Sequence, residues 1–352
     1  MRRVIDGNAA GFAAEGAGIL DRIVCATLTN RARFVLNCVG GQLDQRRDDG
    51  LVRHCHGDLH LRNIVLLGDQ PTLFDAIEFN DEISSIDVLY DLAFLLMDLW
   101  RRELSHHANV LWNGYLNETG DLDGLRLMPL FLSCRAAVMA KTTATSANLQ
   151  SDADRRVELQ ALAGAYLTMA GALLGPPPPR LIAVGGLSGS GKSTLAMGLA
   201  PSIGAVPGAV VIRSDEIRKK LCGVTPLDRL GPEGYTDEVS RRVYATLMEQ
   251  ADKVVRAGHT AIADAVFAES ADRDAIQQVA RHAGVPFAGL WLDAPVALLL
   301  SRVEGRRSDV SDAGIEVIWR QLGYQLDSLP WHHLDASGTR QHVCTAATAV
   351  VG

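Results

Sequence analysis

The first half of the chain has apolar residues at helical spacing. They recur in this way over 83–103, 125–144 and 157–174, and each of these segments predicts an amphipathic helix. The exception is 65–79, where two short apolar runs flank a Gly-Asp-Gln-Pro turn at 68–71 and predict two strands. The first half is therefore predicted to be mostly helical.

The second half alternates short apolar runs with helical segments. Strands are predicted at 181–184, 209–212, 260–263 and 287–292, with a last one at either 331–334 or 342–343. The longest helix between them is predicted at 236–257. Such alternation predicts an α/β fold, with a parallel sheet covered by helices on both faces as three layers.

A proline run separates the two patterns. Residues 175–180 are Gly-Pro-Pro-Pro-Pro-Arg, and four consecutive prolines cannot continue a helix. We place a linker there, which predicts a first domain at 1–174 and a second at 181–352. A rigid surface loop within a single domain is the alternative.

Composition adds limits on cell location and partners. A chain of 352 residues suits about two domains, and its net charge of −7 gives no support for a broad nucleic-acid surface. Six cysteines without a Cys-x-x-Cys pair suit a reducing cytoplasm. No signal peptide is evident, and the apolar stretch 161–174 is shorter than the roughly 20 residues that span a bilayer. We expect a soluble, cytoplasmic protein without a membrane partner.

The strongest motif is Gly-Leu-Ser-Gly-Ser-Gly-Lys-Ser at 186–193, between a predicted strand and a predicted helix. Its glycines allow backbone N–H groups to surround a phosphate, and the helix N-terminus adds positive potential. Lys192 is expected to reach the β- and γ-phosphates, and Ser193 to ligate Mg²⁺. Spacing and context together argue against a chance turn. The predicted site for ATP comprises Gly186, Leu187, Ser188, Gly189, Ser190, Gly191, Lys192, Ser193 and Thr194.

Acidic residues follow two of the other predicted strands. Asp215 and Arg218 come after the strand at 209–212, at the sheet edge where ligands bind in open α/β folds. Asp215 is a candidate base for an acceptor hydroxyl and Arg218 a candidate anion contact, although Asp215 as a helix cap is the alternative. Asp264 ends the strand at 260–263, where it holds Mg²⁺ through water, positions the substrate or serves as a turn residue.

Arginines follow the strand at 287–292. Arg302, Arg306 and Arg307 are candidates for a lid that closes over the phosphates and neutralises charge during phosphoryl transfer. Of these, Arg302 and Arg306 are the preferred catalytic candidates. A solvated helix end is the alternative.

These motifs together resemble the small P-loop kinases of metabolites and nucleic-acid ends over about 180–345. That group includes gluconate and shikimate kinases, chloramphenicol phosphotransferase, zeta toxins and the kinase domain of polynucleotide kinase. The segment Arg-Ser-Asp-Glu-Ile-Arg at 213–218 is most similar to the polynucleotide kinase and zeta-toxin branch. The resemblance implies ATP and Mg²⁺, with transfer of the γ-phosphoryl group to a hydroxyl.

A second motif, His-Gly-Asp-Leu-His-Leu-Arg-Asn, lies at 56–63. Asp58 precedes Asn63 by five residues, the spacing of a kinase catalytic loop, and Asp75 follows the predicted hairpin. The stretch resembles the C-terminal lobe of aminoglycoside phosphotransferases, a protein-kinase-like C-lobe. That resemblance implies a base at Asp58 and Mg²⁺ ligands at Asn63 and Asp75.

Two alternatives concern the same region. A zinc site is conceivable from three histidines, but the phosphotransferase pattern explains His56 without metal. The acids Asp87 and Asp91 suit stabilisation of the fold better than catalysis. The three histidines are His54, His56 and His60.

The first half departs from a complete kinase of this type, which has an N-terminal lobe with a glycine-rich strand pair and a lysine. The 55 residues before His56 contain no lysine, and the first lysine is Lys141. Residues 1–50 instead resemble the helical linker into a C-lobe. We therefore expect an N-terminally shortened member of a fused family, with an inactive, vestigial or partial site at Asp58.

The predicted function is that of an ATP-dependent kinase acting through its second half on the hydroxyl of a small molecule or nucleic-acid end. The acceptor is not specified by these patterns. A nucleotide-dependent switch without phosphoryl transfer is the main alternative, although such a switch has no need of an acceptor base at Asp215. A toxin acting on a nucleotide sugar is a third possibility.

Overall fold

The computed structural model describes residues 1–305, 311, 314–324 and 330–351. Contacts divide the chain into two compact units. One comprises Met1–Trp112 with Gly124–Pro177, and the other Asn113–Asp123 with Pro178–Gly352. None of the helices in the described residues is long and apolar enough to cross a membrane.

Up to residue 174 the chain is mainly helical, as predicted. Short 3₁₀ turns lie at Leu61–Asn63 and Leu125–Leu127. The helices are α1 (Arg2–Ala14), α2 (Arg22–Asp48), α3 (Asp81–Ser84), α4 (Val88–Arg101), α5 (Ser105–Thr119), α6 (Met128–Leu149) and α7 (Ala153–Leu173). The strands are β1 (Val52–His54), β2 (Ile64–Leu67), β3 (Gln70–Leu73) and β4 (Ser85–Asp87).

Several predicted helix boundaries in this part differ from the structure: α6 runs from Met128 to Leu149, α7 begins at Ala153, and α4 starts later than predicted. The helix predicted from residue 83 begins at Val88, because Ser85–Asp87 instead pairs antiparallel with β1. Asp87 then caps α4 by accepting a hydrogen bond from the Leu89 N–H at 2.9 Å. The predicted strand pair around Gly68 is confirmed, since β2 and β3 form an antiparallel hairpin.

From residue 181 onward, strands and helices alternate. Additional 3₁₀ turns lie at Ala200–Ser202 and Pro232–Tyr235. The strands are β5 (Leu181–Gly186), β6 (Val210–Arg213), β7 (Ala261–Asp264), β8 (Phe287–Asp293) and β9 (His332–Asp335). The helices are α8 (Lys192–Leu199), α9 (Ser214–Leu221), α10 (Asp237–Arg256), α11 (Ser270–Ala283), α12 (Val296–Glu304), α13 (Ile315–Leu322) and α14 (Arg340–Val351).

The strands form one parallel sheet in the order β6-β7-β5-β8-β9. This confirms the predicted α/β class and parallel sheet. Of the two candidates for the last strand, the segment near 331–334 forms β9, whereas 342–343 lies within α14. The apolar side chain of Val343 lies on the face of α14 that packs against the sheet core, which explains why His342 and Val343 are helical.

Burial of both sheet faces explains why the strands are continuous apolar runs. Every residue of β5 is buried, as expected for a central parallel strand. Ile182 and Val184 point to the face covered by α8 and α14, while α10 and α11 contact β6, β7 and β8. The core on the α8 and α14 face includes Leu195, Leu199, Ile262, Leu290, Leu292, Leu334 and Ala347.

The strand order creates a switch point beside β5. From β5 the chain continues to β6, on one side of the sheet, and after β7 it crosses to β8 on the other side. Ligands in open α/β folds bind outside the carboxyl ends of the strands at such a point. Residues that follow β5, β6 and β7 therefore meet at one edge.

Candidate active site

The end of β5 and the loop after it have two glycines that combine a positive φ with a close approach to neighbouring backbone. Gly186 has φ of 139° and Gly189 has φ of 84°. A Cβ atom at Gly186 would lie 2.8 Å from the Leu292 carbonyl oxygen, and one at Gly189 would lie 2.7 Å from that of Leu299. Both the backbone angle and the close approach therefore exclude larger residues.

The loop ends at the N-terminus of α8. Gly191, with φ of 97°, is the N-cap residue and provides no side-chain cap. An α-helix leaves the N–H groups of its first turn without intrahelical partners, so these groups are available to an anion. The loop therefore has the backbone geometry of a phosphate-binding P-loop.

A hydroxyl and a carboxylate converge beside this loop. Ser193 Oγ lies 2.5 Å from Asp264 Oδ2, and Asp264 is buried at the end of β7. Burial raises the pKa of Asp264, while Lys192 and Arg213 oppose that rise by favouring the charged form. Hard oxygen atoms of this kind are the ligands that Mg²⁺ prefers, so Ser193 and Asp264 fit a Mg²⁺ ion directly or through water.

Asp215 and Arg218 lie on α9, in the wall of the same cleft. Asp215 is half-buried and lines the cleft, and within the described residues it does not cap the helix. Arg218 is buried and donates hydrogen bonds to the Gly234 carbonyl at 2.8 Å and to Ser240 Oγ at 3.3 Å. The guanidinium also lies 4.9 Å from the Tyr235 ring centre. Asp215 is thus accessible, whereas Arg218 is largely held by its neighbours.

The cleft has a volume of about 1420 Å³ and mixed charge. Burial, assisted by the nearby Glu269 carboxylate, raises the pKa of Asp272 to about 6. The phosphate side of the cleft carries basic groups, and the side near α10 and α11 carries acids. Its charged lining residues are Lys192, Asp215, Arg218, Asp237, Asp264, Glu269, Asp272, Arg302, Arg320 and Arg340.

Arg302 contacts the P-loop through the backbone. It donates hydrogen bonds to the carbonyl oxygens of Gly189 and Ser190, both at 3.4 Å, and to that of Ala336 at 2.8 Å. The side chain therefore joins α12 and the segment after β9 to the loop. Arg306 and Arg307, the other predicted lid arginines, lie outside the described residues.

The motif near Asp58 forms a separate, local cluster. Asn63 Nδ2 donates to the Asp58 carbonyl at 2.9 Å and to Asp58 Oδ2 at 3.1 Å, and His60 Nε2 lies 3.4 Å from Oδ2. The hydrogen bond from His60 is the main reason that the pKa of Asp58 is lowered. Asp75 is exposed, with φ of 60°, an uncommon left-handed conformation.

Asp91 organises the backbone of this motif. Its carboxylate accepts hydrogen bonds from the N–H groups of His56 and Gly57, both at 3.0 Å, and lies 3.5 Å from Arg135. Asp87 similarly pairs with buried Arg46 at 2.7 Å. Both acids are bound within the fold, which agrees with a structural role. Within the described residues, no group of three histidines, cysteines or acids is arranged for a metal ion.

The structure adds two residues to the predicted site. Arg213, at the end of β6, lies 3.5 Å from Asp264 and donates to Glu216 at 3.0 Å. Gln321, on α13, accepts a hydrogen bond from the Ser188 N–H at 2.7 Å. Arg213 lies two residues before Asp215 and belongs to the same Arg-Ser-Asp-Glu-Ile-Arg segment, so the sequence pattern marks its position. Gln321 has no signal of its own, because its role depends on how α13 packs.

The fold and the loop define a P-loop nucleotide-binding domain. A family model described as an AAA domain matches residues 181–330, consistent with that class.

Two groups of curated relatives are similar to the chain. An uncharacterized protein of Mycobacterium tuberculosis is 30% identical over 304 residues, which are 84% of this chain and 58% of that relative. The chain thus spans less than two thirds of its length. The adenylyl-sulfate kinase of Myxococcus xanthus is 30% identical over 117 residues, which are 33% of this chain and 59% of that enzyme.

Solved kinase structures also resemble part of the chain. A sugar kinase from Janibacter is 23% identical, with a TM-score of 0.38, and the match covers 49% of this chain and 95% of that one. The Mycobacterium tuberculosis APS kinase in complex with AMPPNP and APS is 20% identical, with a TM-score of 0.37, over 50% of this chain and 98% of that one.

Proposed function

We propose that this protein is an ATP- and Mg²⁺-dependent kinase that transfers the γ-phosphoryl group to a hydroxyl of a small molecule or nucleic-acid end. One observation carries the proposal: accessible Asp215 lines the same cleft as Lys192 and the Ser193–Asp264 pair. A nucleotide switch needs the phosphate site and a carboxylate for Mg²⁺ such as Asp264, but it has no need of an acceptor base such as Asp215. The similarity to an adenylyl-sulfate kinase supports the reaction class.

In the proposed step, the Asp215 carboxylate accepts the proton of the acceptor hydroxyl. The hydroxyl oxygen forms a bond to the γ-phosphorus as the bond from that phosphorus to the β–γ bridging oxygen breaks, and ADP leaves. Lys192 and the N–H groups at the start of α8 balance the negative charge. Mg²⁺, when bound, supplies further charge neutralisation, and Ser193 and Asp264 are the residues that hold it.

The two arginines have different proposed roles. Arg302 orients the P-loop through the carbonyl oxygens of Gly189 and Ser190. Arg218 stiffens the acceptor side of the cleft and contacts an anionic part of the acceptor where one is present. Arg306 remains a proposed lid residue on sequence grounds alone.

We propose that residues 1–174 form a domain like the C-lobe of aminoglycoside phosphotransferases, joined by 175–180 to the kinase domain at 181–352. This first domain makes no contribution to phosphoryl transfer. The proposal is supported by the exposed position of Asp75, a proposed metal ligand of this motif.

Phosphoryl transfer from γ-labelled ATP to a metabolite and oligonucleotide panel tests the function. The full chain is compared with Lys192→Ala and Asp215→Asn, and with Asp274→Asn as an exposed control on α11. We expect transfer to a hydroxyl acceptor, lost in the first two variants and kept in the control. Transfer that survives both site substitutions contradicts the proposal, as does tight ATP binding without transfer to any acceptor.

A further inference from the structure

Helix α13 turns one face toward the cleft. Val317, Arg320, Gln321 and Tyr324 all line the cleft, the last of them just beyond the end of the helix. Their spacing of three, four and seven residues places them on a single helical face. The helix is therefore a wall of the cleft beside the P-loop.

Two anchors hold α13 in this position. Ile318 is fully buried and packs with Leu299 and Val303 of α12. Gln321 is also buried, and its side chain accepts the hydrogen bond from the Ser188 N–H at 2.7 Å. Because a backbone N–H only donates, the carboxamide oxygen must face the loop. One anchor is thus apolar and on α12, and the other is polar and on the P-loop.

The polar anchor acts on the peptide group that also holds the phosphate-binding lysine. Lys192 Nζ donates to the Leu187 carbonyl at 3.1 Å, and the N–H of the same peptide group, from Ser188, donates to Gln321. The C=O and N–H of a trans peptide point in opposite directions, so this group is held from both edges. Gln321 therefore links the position of α13 to the P-loop around Lys192.

Arg320 is the adjacent residue and has a different environment. Its side chain is exposed in the cleft and, within the part of the chain that the structure describes, has no hydrogen bond or ion pair. Arg302 in contrast already donates to three backbone carbonyls. A guanidinium offers paired N–H donors that match phosphate oxygens, so Arg320 is suited to a phosphate contact.

We propose that Gln321 latches α13 to the P-loop and thereby presents Arg320 to the terminal phosphate of a bound nucleoside triphosphate. Arg320 contacts the phosphate, and Gln321 is a positioning residue. The inference rests on the nucleotide site of the proposed function, but it is independent of the acceptor and of Asp215.

Calorimetric titration of the full chain with Mg²⁺-AMPPNP and with Mg²⁺-ADP separates the γ-phosphate from the rest of the nucleotide. The variants are Arg320→Ala, Gln321→Ala and the double variant, with Arg281→Ala as an exposed arginine control on α11. We expect Arg320→Ala to weaken AMPPNP binding about tenfold, as loss of a charge-assisted hydrogen bond does, and ADP binding by less than about threefold. Arg281→Ala should change neither.

The double variant tests the latch. Because Gln321 places Arg320 at the terminal phosphate, the preference for AMPPNP over ADP lost in the double variant should be little more than that lost in Arg320→Ala alone, rather than the product of the two single effects. A loss that acts through Lys192 should weaken the binding of both nucleotides. Equal weakening of AMPPNP and ADP by Arg320→Ala, or fully multiplicative effects, would overturn the proposal. Melting temperatures identify any variant that is unfolded. If Gln321→Ala fails this check, the AMPPNP and ADP affinities of Arg320→Ala, a substitution at an exposed residue, decide the question.

These outcomes are distinct from failure of the kinase proposal. If the chain binds AMPPNP and ADP with the expected selectivity but transfers no phosphoryl group, the latch proposal stands and the kinase proposal is refuted. Transfer together with unchanged AMPPNP affinity in Arg320→Ala refutes the latch alone. A wild-type chain that binds neither nucleotide refutes both.

Discussion

The cleft around the P-loop and the loop around Asp58 both contain residues of phosphoryl-transfer motifs, but they are built differently. In the cleft, Lys192 and Asp215 follow β5 and β6 and Asp264 ends β7, and they meet because the sheet brings the strand ends together. Near Asp58, the partners Asn63 and His60 are close neighbours in sequence. The first site depends on the whole fold, whereas the second is local.

This difference shows why a motif alone does not define a site. The cleft is lined by residues from several elements and has room for a ligand of nucleotide size. The backbone next to Asp58 is held by Asp91 of α4, which accepts hydrogen bonds from two backbone N–H groups and lies beside Arg135. These contacts support a role of Asp91 in stabilising the fold rather than in catalysis.

The largest expected effect is on the rate of phosphoryl transfer. Asp215→Asn removes the proposed base while keeping the size of the side chain, so turnover should fall by about 10³-fold, within the range for general bases. AMPPNP affinity should stay unchanged, because Asp215 contacts the acceptor rather than the nucleotide. A variant that loses nucleotide binding along with turnover would place Asp215 in the phosphate site instead.

The next effect is on the stability of the first unit. Asp91→Ala leaves buried Arg135 without its carboxylate and two backbone N–H groups without an acceptor, so unfolding should become easier by about 3 kcal/mol. Urea unfolding followed by far-ultraviolet circular dichroism measures the change. Asp44→Ala removes an exposed acid of α2 and should have a negligible effect, and equal losses in the two variants would contradict the structural role.

A smaller loss is expected at Gly189. Alanine there must adopt a φ of 84° and meets the Leu299 carbonyl at 2.7 Å, so Gly189→Ala should cost about 1–3 kcal/mol in strain and weaken AMPPNP binding. Gly223 also has positive φ, but a Cβ there meets nothing within 4 Å. Gly223→Ala is therefore a matched control that should keep full AMPPNP affinity. Similar affinity losses in the two variants would show that the close approach at Gly189 is not the cause.

The smallest expected effect concerns the acidic side of the cleft. The pKa of Asp272 is about 6 in the folded protein, above its usual value of 3.8. The folded state therefore binds this proton more tightly than the unfolded state, and the protein loses stability as the pH rises from about 4 to about 6. Asp272→Asn should therefore stabilise the protein at pH 7 and have little effect near pH 4. Melting curves at both pH values, with exposed Asp274→Asn as control, check this; a stabilisation that is the same at pH 4 and pH 7 would argue against the titration.

Much of the P-loop domain was predictable from local patterns. Buried parallel strands are continuous apolar runs, so β5 to β8 were found, and the P-loop has fixed spacing that marks Lys192 and Ser193. The start of α4 was not found, because pairing of Ser85–Asp87 with β1 overrides the helical spacing. Gln321 was also missed, since its contact with Ser188 joins residues 133 positions apart.

The most direct test of the central claim compares the two regions in one assay. Phosphoryl transfer from γ-labelled ATP is measured for the full chain, for Lys192→Ala and for Asp58→Ala. If the P-loop cleft is the active site, Lys192→Ala loses about 10²-fold or more of the activity, and Asp58→Ala keeps it within about twofold. Activity that survives in Lys192→Ala and disappears in Asp58→Ala would instead place the chemistry in the N-terminal motif.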